Sequence, residues 1–244
     1  MTLNQLLGNP MKQTLQILLA LVLINTSIFA LANSNNIEKA LAHKDRTQQD
    51  KARDEFRKPA EILALLDIRP DSKVVDFIAG RGYYTDLIAR VLDNKGHLYS
   101  VKGKLEKRDL TAYKNISVLK EVDLSEIKQP VDRIFTALNY HDIVNKKEID
   151  RSKLLKSLYN KLDDDGYLVV IDHNAAPGKG ASDTKKKHRV ENTFVLNEIQ
   201  QAGFVLDRSL SVLANPNDNF ELDVWQQSTK GKTDRFVYRF KKTK

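Results

Sequence analysis

Apolar and polar positions alternate along the chain in a pattern that predicts strands and helices in turn. Short apolar runs over 73–78, 131–138 and 166–172 predict buried strands, and 96–102 and 116–122 predict further extended segments. Apolar residues at helical spacing predict helices over 59–67, 83–94, 105–113, 147–162 and 191–202. Strands that alternate with helices of this length predict an α/β fold, with a mostly parallel sheet and helices on both faces.

The C-terminal part of the chain departs from this alternation. Two extended segments, 204–213 and 234–242, follow each other with no helical pattern between them. Because no helix separates them, we expect these two strands to form an antiparallel hairpin at one edge of the sheet.

The first 32 residues have the layout of a signal peptide. Residues 15–24 are almost continuously apolar, Lys12 precedes them, and the small residues around 30–32 follow. Met11 is a second candidate start codon. An uncleaved membrane anchor is the alternative, but the apolar core is shorter than the roughly 20 residues that a span needs. We therefore expect export to the periplasm, cleavage before Asn33 and no stable membrane anchor afterwards.

The expected mature chain has two parts. Residues 33–58 are polar and highly charged, which predicts a flexible leader that runs into a solvated helix, and residues 59–244 form the domain. With 39 Lys and Arg against 32 Asp and Glu, residues 33–244 carry a net charge of +7, which favours anionic ligands in general. The chain contains no Cys, which excludes disulfides, thiolate metal ligands and a cysteine nucleophile.

One turn stands out as a candidate ligand site. The stretch VVDFIAGRGYYTDLIAR, residues 74–90, places Gly80 and Gly82 where a buried strand gives way to a helix. Ligands of such sheets bind at the carboxyl ends of the strands, near a helix N-terminus. A single G-x-G also serves tight packing alone, so both interpretations stay open. Asp76 favours a ligand, because a buried acid needs a partner and a ligand ammonium is one candidate.

At this point the chain resembles a known family. The segments KVVDFIAGRGYYTDLIAR, GHLYSVK, VDRIFTALNYHDI, GYLVVIDHNA, KHRVE and GKTDRFVYRFKK resemble class I S-adenosylmethionine-dependent methyltransferases, specifically the exported, predicted methyltransferases of Gram-negative bacteria. The resemblance covers about residue 53 to the C-terminus and implies the Rossmann-like fold of that class. It implies S-adenosyl-L-methionine as cofactor, with Asp76, Gly80 and Gly82 at its methionine end, Asp123 near the adenine, and Asn139, Tyr140, His141 and Asp142 facing the transferred methyl group.

Two positions depart from the family pattern. Ile78 stands where the first glycine of the turn belongs, and a branched side chain there can crowd the cofactor or restrict the turn. Lys102 ends the second strand, where an acid normally accepts hydrogen bonds from both ribose hydroxyls. Lysine offers only donors, so it cannot replace that acceptor.

His141 is the candidate general base, with a carboxylate such as Asp142 to orient it. Alternatively, His141 caps the following helix, with Asn139 and Asp142 as ordinary N-terminal residues. The segment KKKHR, 185–189, is either an anion contact or a solvated loop. The histidines lack metal-ligand spacing and no reading helix is recognisable, so we expect neither a metal site nor nucleic-acid binding.

Two functions remain. The first is a periplasmic methyltransferase that transfers a methyl group directly to a small-molecule nucleophile. The second is a non-catalytic descendant of the fold that binds another small anionic ligand or a protein partner. Ile78, Lys102 and the supply of a cytosolic cofactor after export favour the second, whereas the candidate residues at the strand ends favour the first.

Overall fold

The computed structural model describes residues 33–243 together with Thr14, Gln16 and Ile17. Most of the predicted signal peptide, residues 1–32, lies outside the described residues, so its cleavage stays a prediction. None of the helices in the described part of the chain is long and apolar enough to cross a bilayer.

A seven-stranded sheet of order β3-β2-β1-β4-β5-β7-β6 forms the centre of the fold. Strands β1 to β5 are parallel, whereas β7 runs antiparallel to both β5 and β6. Their bounds are β1 Lys73–Phe77, β2 His97–Val101, β3 Ile116–Leu119, β4 Val131–Ala137, β5 Leu162–His173, β6 Phe204–Leu210 and β7 Arg235–Lys242. The predicted α/β class and the antiparallel C-terminal pair are confirmed, but β7 lies between β5 and β6, which makes β6 the edge strand.

Helices cover both faces of the sheet, and each face has its own apolar core. One core packs around Leu87 and Leu63, and the other packs around Ile143 and Leu155. The labelled helices are α1 Gln48–Arg57, α2 Pro59–Leu66, α3 Tyr83–Leu92, α4 Tyr140–Asn145, α5 Arg151–Lys161, α6 Thr184–Lys187 and α7 Asn192–Gln201. Burial on two faces explains why the central strands are continuous apolar runs.

The predicted helix over 105–113 is wrong, because the chain forms turns there. Asp109 accepts hydrogen bonds from both the backbone N–H and the hydroxyl of Thr111, and this local pairing competes with helical hydrogen bonds. Arg108 is also engaged elsewhere: its guanidinium pairs with Asp50 and donates to the carbonyl of Arg81. Tertiary contacts therefore override the helical pattern in this segment.

Part of the N-terminal segment packs against the domain instead of forming a flexible leader, and every residue of α1 except Asp50 is at least partly exposed to solvent. Residues 33–42 are helical, and Ile37 and Ala40 are buried in the same core as α2 and α3. Arg46 is also buried and pairs with Asp54 of α1. Buried apolar contacts and ion pairs thus hold residues 33–57 on the sheet. The domain boundary at residue 59 stays a prediction.

Candidate active site

The carboxyl ends of the four neighbouring strands β2, β1, β4 and β5 lie along one edge of the sheet. The register pairs Phe77 with Val101 and Ala137 with Ile171, so the segments that follow these strands leave the sheet side by side. This edge carries the glycine turn, residues 78–82, together with 102–104, 138–142 and 172–174. It is where ligands of parallel sheets of this kind bind.

Left-handed backbone shapes the glycine turn. Gly80 and Gly82 have φ of +55° and +71°, and Ile78 has φ of +58°. A Cβ on Gly82 would overlap the side chains of Leu105 and Arg108, whereas a Cβ on Gly80 would meet nothing within 4 Å. Gly82 therefore serves close packing, and Gly80 leaves open space beside the turn. The packing interpretation of the G-x-G pattern is confirmed for Gly82, and the ligand interpretation stays a prediction for Gly80.

Ile78 holds a conformation that is unfavourable for a β-branched residue. Its side chain packs against the apolar core that contains Phe77 and Tyr140, and its carbonyl accepts a hydrogen bond of 2.9 Å from the side-chain amide of Asn139. Core packing and this hydrogen bond hold the turn that a glycine would form without strain. Asn139 therefore ties the end of β4 to the glycine turn.

Asp76 is the buried acid of this edge, with 3% of its surface exposed. Its carboxylate accepts one hydrogen bond, of 2.6 Å, from the hydroxyl of Thr85 in α3. Burial raises the pKa of Asp76 to about 6, although the Thr85 hydrogen bond and the charges of Arg108 and Arg57 oppose the shift. A buried carboxylate that receives so few hydrogen bonds still needs a partner for its charge, and a cationic ligand group would supply one.

We expect Asp76→Asn to be more stable than the wild type at pH 8, by up to roughly 3 kcal/mol. Because the folded pKa of about 6 lies above the ordinary 3.8, stability is highest at acid pH and falls as the pH rises through that interval. The amide keeps the Thr85 contact and never ionises. Urea unfolding at pH 4 and pH 8 measures the difference, with exposed Asp142→Asn as control. An Asp76→Asn protein that is less stable at pH 8 would contradict this account.

The two residues expected at the adenosine end of the cofactor lie near the surface. Lys102 follows β2 with φ of +50°, and its backbone N–H donates to the carbonyl of Leu119. Its side chain has no hydrogen bond with the described residues and offers only donors. Asp123 is exposed and accepts hydrogen bonds from the backbone N–H and hydroxyl of Ser125, which lower its pKa.

The four residues after β4 were all expected to face the transferred methyl group, but in the structure their side chains contact different parts of the molecule. Asn139 stands at the N-cap of α4 without a capping hydrogen bond, because its amide donates to the carbonyls of Ile78 and Ala137. The hydroxyl of buried Tyr140 donates to Glu198 at 2.8 Å, on the sheet face covered by α7. Of this set, His141 and Asp142 remain close to each other, with 3.6 Å between His141 Nε2 and Asp142 Oδ1.

His141 is buried, with 2% of its surface exposed. Asp172, at the end of β5, holds it: one carboxylate oxygen lies 2.8 Å from His141 Nδ1, and the other accepts the His141 backbone N–H at 2.8 Å. This pairing places the proton on Nδ1 and leaves Nε2 to accept one. The sequence suggested Asp142 as the orienting acid; the structure shows that it is Asp172.

The charge on Asp172 decides the proton affinity of His141. Burial by itself would lower the pKa of His141, but the Asp172 carboxylate and its hydrogen bond, with smaller contributions from Asp142 and Asp223, raise it above the ordinary 6.5. An imidazole held by a buried carboxylate in this way is an arrangement suited to general-base chemistry.

Two further histidines surround His141. The His188 ring lies 5.6 Å from it, and the His173 ring lies 6.1 Å from it, measured between centroids. His188 Nδ1 pairs with Asp223 at 3.1 Å, and burial lowers the pKa of His173 well below 6.5. Within the described residues, no three His, Asp or Glu side chains are arranged to hold a metal ion.

Arg57, at the end of α1, is a residue that the sequence analysis did not single out. Its guanidinium stacks over the rings of Tyr83 and Tyr84, at 4.5 and 5.8 Å from their centroids. It makes no ion pair or side-chain hydrogen bond with the described residues, and its Nε is buried without a partner. Its positive charge contributes to lowering the pKa of Asp76 and of His173. No sequence pattern distinguishes it from the other arginines of this charged segment.

Comparison with known proteins shows which solved structures share the fold of this chain. No protein-family model and no curated protein sequence matches the chain. Solved structures do match: an S-adenosylmethionine-dependent methyltransferase from Aquifex aeolicus has a TM-score of 0.55 and 21% identity, over 85% of this chain and 97% of that one. The glycopeptide N-methyltransferase MtfA, solved with S-adenosylmethionine and with sinefungin, has a TM-score of 0.52 and 11% identity, over 79% of this chain and 87% of its own. At these identities the likeness shows a Rossmann-like methyltransferase fold.

Proposed function

We propose that the protein is an S-adenosylmethionine-dependent methyltransferase that acts on a small molecule. The observation that carries the proposal is Asp76, a buried carboxylate whose one hydrogen-bond donor among the described residues is the hydroxyl of Thr85. The fold is similar to that of S-adenosylmethionine-dependent methyltransferases, and a buried carboxylate is a suitable counter-charge for the ammonium of a methionine moiety.

The residues present fit the methionine end of the cofactor. Asp76 would pair with the ammonium, and the open face of Gly80 leaves room for a close approach to the turn. At the adenosine end, Asp123 would accept from the adenine amine, while Lys102 supplies no acceptor for the ribose. Methionine-end contacts would therefore provide most of the polar recognition.

The chain's own residues would do two things: position the methyl acceptor and remove its proton. S-adenosylmethionine supplies, when bound, a methyl group on an already reactive sulfonium, so the protein mainly positions the acceptor. His141 Nε2 accepts the acceptor's proton, and Asp172 fixes the tautomer and stabilises the imidazolium. Neutral His173 and the His188–Asp223 pair enclose the base.

Calorimetric titration of the residue 33–244 protein with S-adenosylmethionine and with its demethylated product tests the proposal. We expect binding of both, and a loss of at least tenfold in affinity for Asp76→Asn, with Asp142→Asn close to wild type. Absence of binding for both ligands would favour the alternative, a non-catalytic protein of this fold that binds another anionic molecule or a protein partner.

We expect Lys102→Glu to tighten S-adenosylmethionine binding by about tenfold. A carboxylate at the end of β2 can accept hydrogen bonds from ribose hydroxyls, and a charge-assisted hydrogen bond contributes about 1.5–3 kcal/mol. The matched control is Lys104→Glu, which makes the same charge change at an exposed position two residues later. An equal gain in S-adenosylmethionine affinity in both variants would mean that the change in overall charge, and not a hydrogen bond to the ribose, is responsible.

Periplasmic location is part of the proposal, together with membership of the exported methyltransferases of Gram-negative bacteria that the chain resembles. Its support is the basic, apolar and small-residue order of residues 1–32. We expect a mature N-terminus at Asn33 and release by periplasmic extraction of a Gram-negative host. N-terminal sequencing that finds the intact chain in the cytosol would contradict export.

A further inference from the structure

An open groove lies between helix α1, the glycine turn and the segment that follows β2. It has a volume of about 460 Å³, which is within the range of small-molecule sites. Thr47 and the first two turns of α1, Arg81 of the glycine turn and the segment 104–108 line it. All nine lining residues in the described chain are polar or charged. Asp76 and Asn139, which were assigned to the cofactor, are not among them.

The groove carries an excess of positive charge. Two of its lining side chains are acidic and five are basic, which leaves three positive charges in excess; the basic ones are Arg53, Arg81, Lys104, Lys107 and Arg108. Like charges that face one space repel each other and attract a counter-ion into it. The lining residues therefore favour an anionic ligand over a neutral or cationic one.

The two acids of the groove leave most of this charge unpaired. Asp50 is buried, and both of its carboxylate oxygens are already in use: Arg108 donates to one at 2.7 Å, and Arg53 donates to the other. Glu106 is exposed and forms no ion pair with the described residues. Three exposed basic side chains likewise have no ion pair or side-chain hydrogen bond in the described chain, namely those of Arg81, Lys104 and Lys107.

Hydrogen bonds fix the sides of the groove relative to one another. Arg108 Nε donates to the carbonyl of Arg81 at 2.5 Å, and the backbone N–H of Lys104 donates to the carbonyl of Gly80 at 2.7 Å. The ion pair between Arg108 and Asp50 joins the same segment to α1. The backbone that carries the unpaired basic side chains is thus held in place before a ligand binds, which reduces the cost of ordering the site.

We infer that this groove binds the phosphate group of a small phosphorylated molecule. A phosphate monoester carries about 1.5 to 2 negative charges at neutral pH and three acceptor oxygens, so several cations can pair with it at once. S-adenosylmethionine does not suit the groove, because its sulfonium and ammonium are cations and its anionic group is a single carboxylate. The inference therefore concerns a second site and is independent of the proposed function.

Calorimetric titration at low ionic strength tests the groove with glycerol 3-phosphate, and with glycerol as its neutral counterpart. We expect the wild type to bind glycerol 3-phosphate and not glycerol. Arg81→Gln combined with Lys107→Gln should weaken this binding at least tenfold, because two exposed cations of the groove are removed. Neither side chain pairs with the described residues, so the unfolding temperature should stay unchanged. The matched control is Arg208→Gln combined with Lys147→Gln, which makes the same charge change at exposed positions outside the groove.

A phosphate monoester can also be the headgroup of a lipid, and a second measurement separates the two sources. Sedimentation with phosphatidylcholine vesicles, with and without phosphatidic acid, measures binding to a phosphate at a lipid surface. We expect the protein to stay in the supernatant in both cases, because the groove has no apolar lining residue for an acyl chain. Sedimentation that requires phosphatidic acid and both Arg81 and Lys107, without binding of glycerol 3-phosphate, would replace the small molecule by a lipid and overturn the inference.

Three further results would overturn it: no binding of glycerol 3-phosphate, equal binding of glycerol, or an equal loss of affinity in the control variant. Displacement of glycerol 3-phosphate by S-adenosylmethionine, with equal losses for both ligands in Arg81→Gln combined with Lys107→Gln, would do so too, because the groove would then hold the carboxylate of the cofactor. If glycerol 3-phosphate binds through Arg81 and Lys107 and S-adenosylmethionine does not bind at all, the phosphate site stands and the proposed function fails.

Discussion

Asp172→Asn is expected to move the pKa of His141 from above its ordinary value of 6.5 to below it, and to slow the proposed methyl transfer about 10²–10⁴-fold. Burial lowers the pKa of His141, and only the nearby carboxylates, Asp172 first among them, outweigh burial. An asparagine amide keeps the shape but turns one acceptor into a donor. His141 then favours the tautomer with the proton on Nε2, and that nitrogen cannot accept a second proton.

The same pairing makes stability depend on pH. Because the folded pKa of His141 is raised, its contribution to stability is fully present below pH 6.5 and is lost as the pH rises through the folded-state value. We expect Asp172→Asn to abolish this fall in stability and to cost about 1–3 kcal/mol through the disturbed buried hydrogen bonds.

NMR titration of the His141 ring and chemical unfolding between pH 5 and pH 9 measure both effects without an acceptor. Formation of the demethylated cofactor measures the rate once an acceptor is supplied. Asp142→Asn is the control, because Asp142 is exposed and lies 3.6 Å from His141. A wild-type pKa for His141 in Asp172→Asn would show that Asp172 does not govern the base.

Arg189→Met is expected to destabilise the fold by about 3–5 kcal/mol. Arg189 has no exposed surface and donates two hydrogen bonds to Asp218, of 2.7 and 3.1 Å. It also donates to the carbonyls of Asn174 and Leu222, and so joins the end of β5 to the loop before β7. Removing it leaves the Asp218 carboxylate buried and unpaired.

Acid should reduce the difference between Arg189→Met and the wild type. Burial raises the pKa of Asp218, but its hydrogen bonds to Arg189 and to backbone N–H groups lower it below 3.8 overall. The wild type therefore loses this stability as the pH falls through the folded pKa, whereas the variant has less to lose. Urea unfolding at pH 7 and pH 3.5 measures the effect.

Two controls accompany the Arg189 experiment. Arg208→Met removes an exposed arginine and should stay within about 0.5 kcal/mol of the wild type. Arg189→Met combined with Asp218→Asn should recover part of the loss, because no buried charge is left alone. If Arg189→Met alone is as stable as Arg208→Met, then the buried pair contributes nothing to the fold.

The segment KKKHR, 185–189, was predicted to be either an anion contact or a solvated loop. Arg189 fits neither, because it is buried and pairs with Asp218.

Part of the candidate site could be predicted from local pattern. The position of Asp76, Gly80 and Gly82 follows from a strand and a helix adjacent in sequence, and His141 follows from the end of β4. Its partner could not be predicted, because Asp172 is 31 residues away and meets His141 only when β4 and β5 pair in the observed register. Tyr140 likewise has a local position that suits the site, but Glu198 on α7 draws its hydroxyl to the other side.

The sequence by itself determined the strand and helix order, the buried central strands and the glycine turn, because these depend on the periodicity of neighbouring residues. Only the tertiary structure decided which charged groups share a space. It inserts β7 between β5 and β6, and this places Arg235 opposite His173. It also buries Ile37 and Ala40 of the N-terminal segment, whose composition predicted a flexible leader. The reason is physical: burial and ion pairing depend on distances between chain segments far apart in sequence, and local propensity carries no information about those distances.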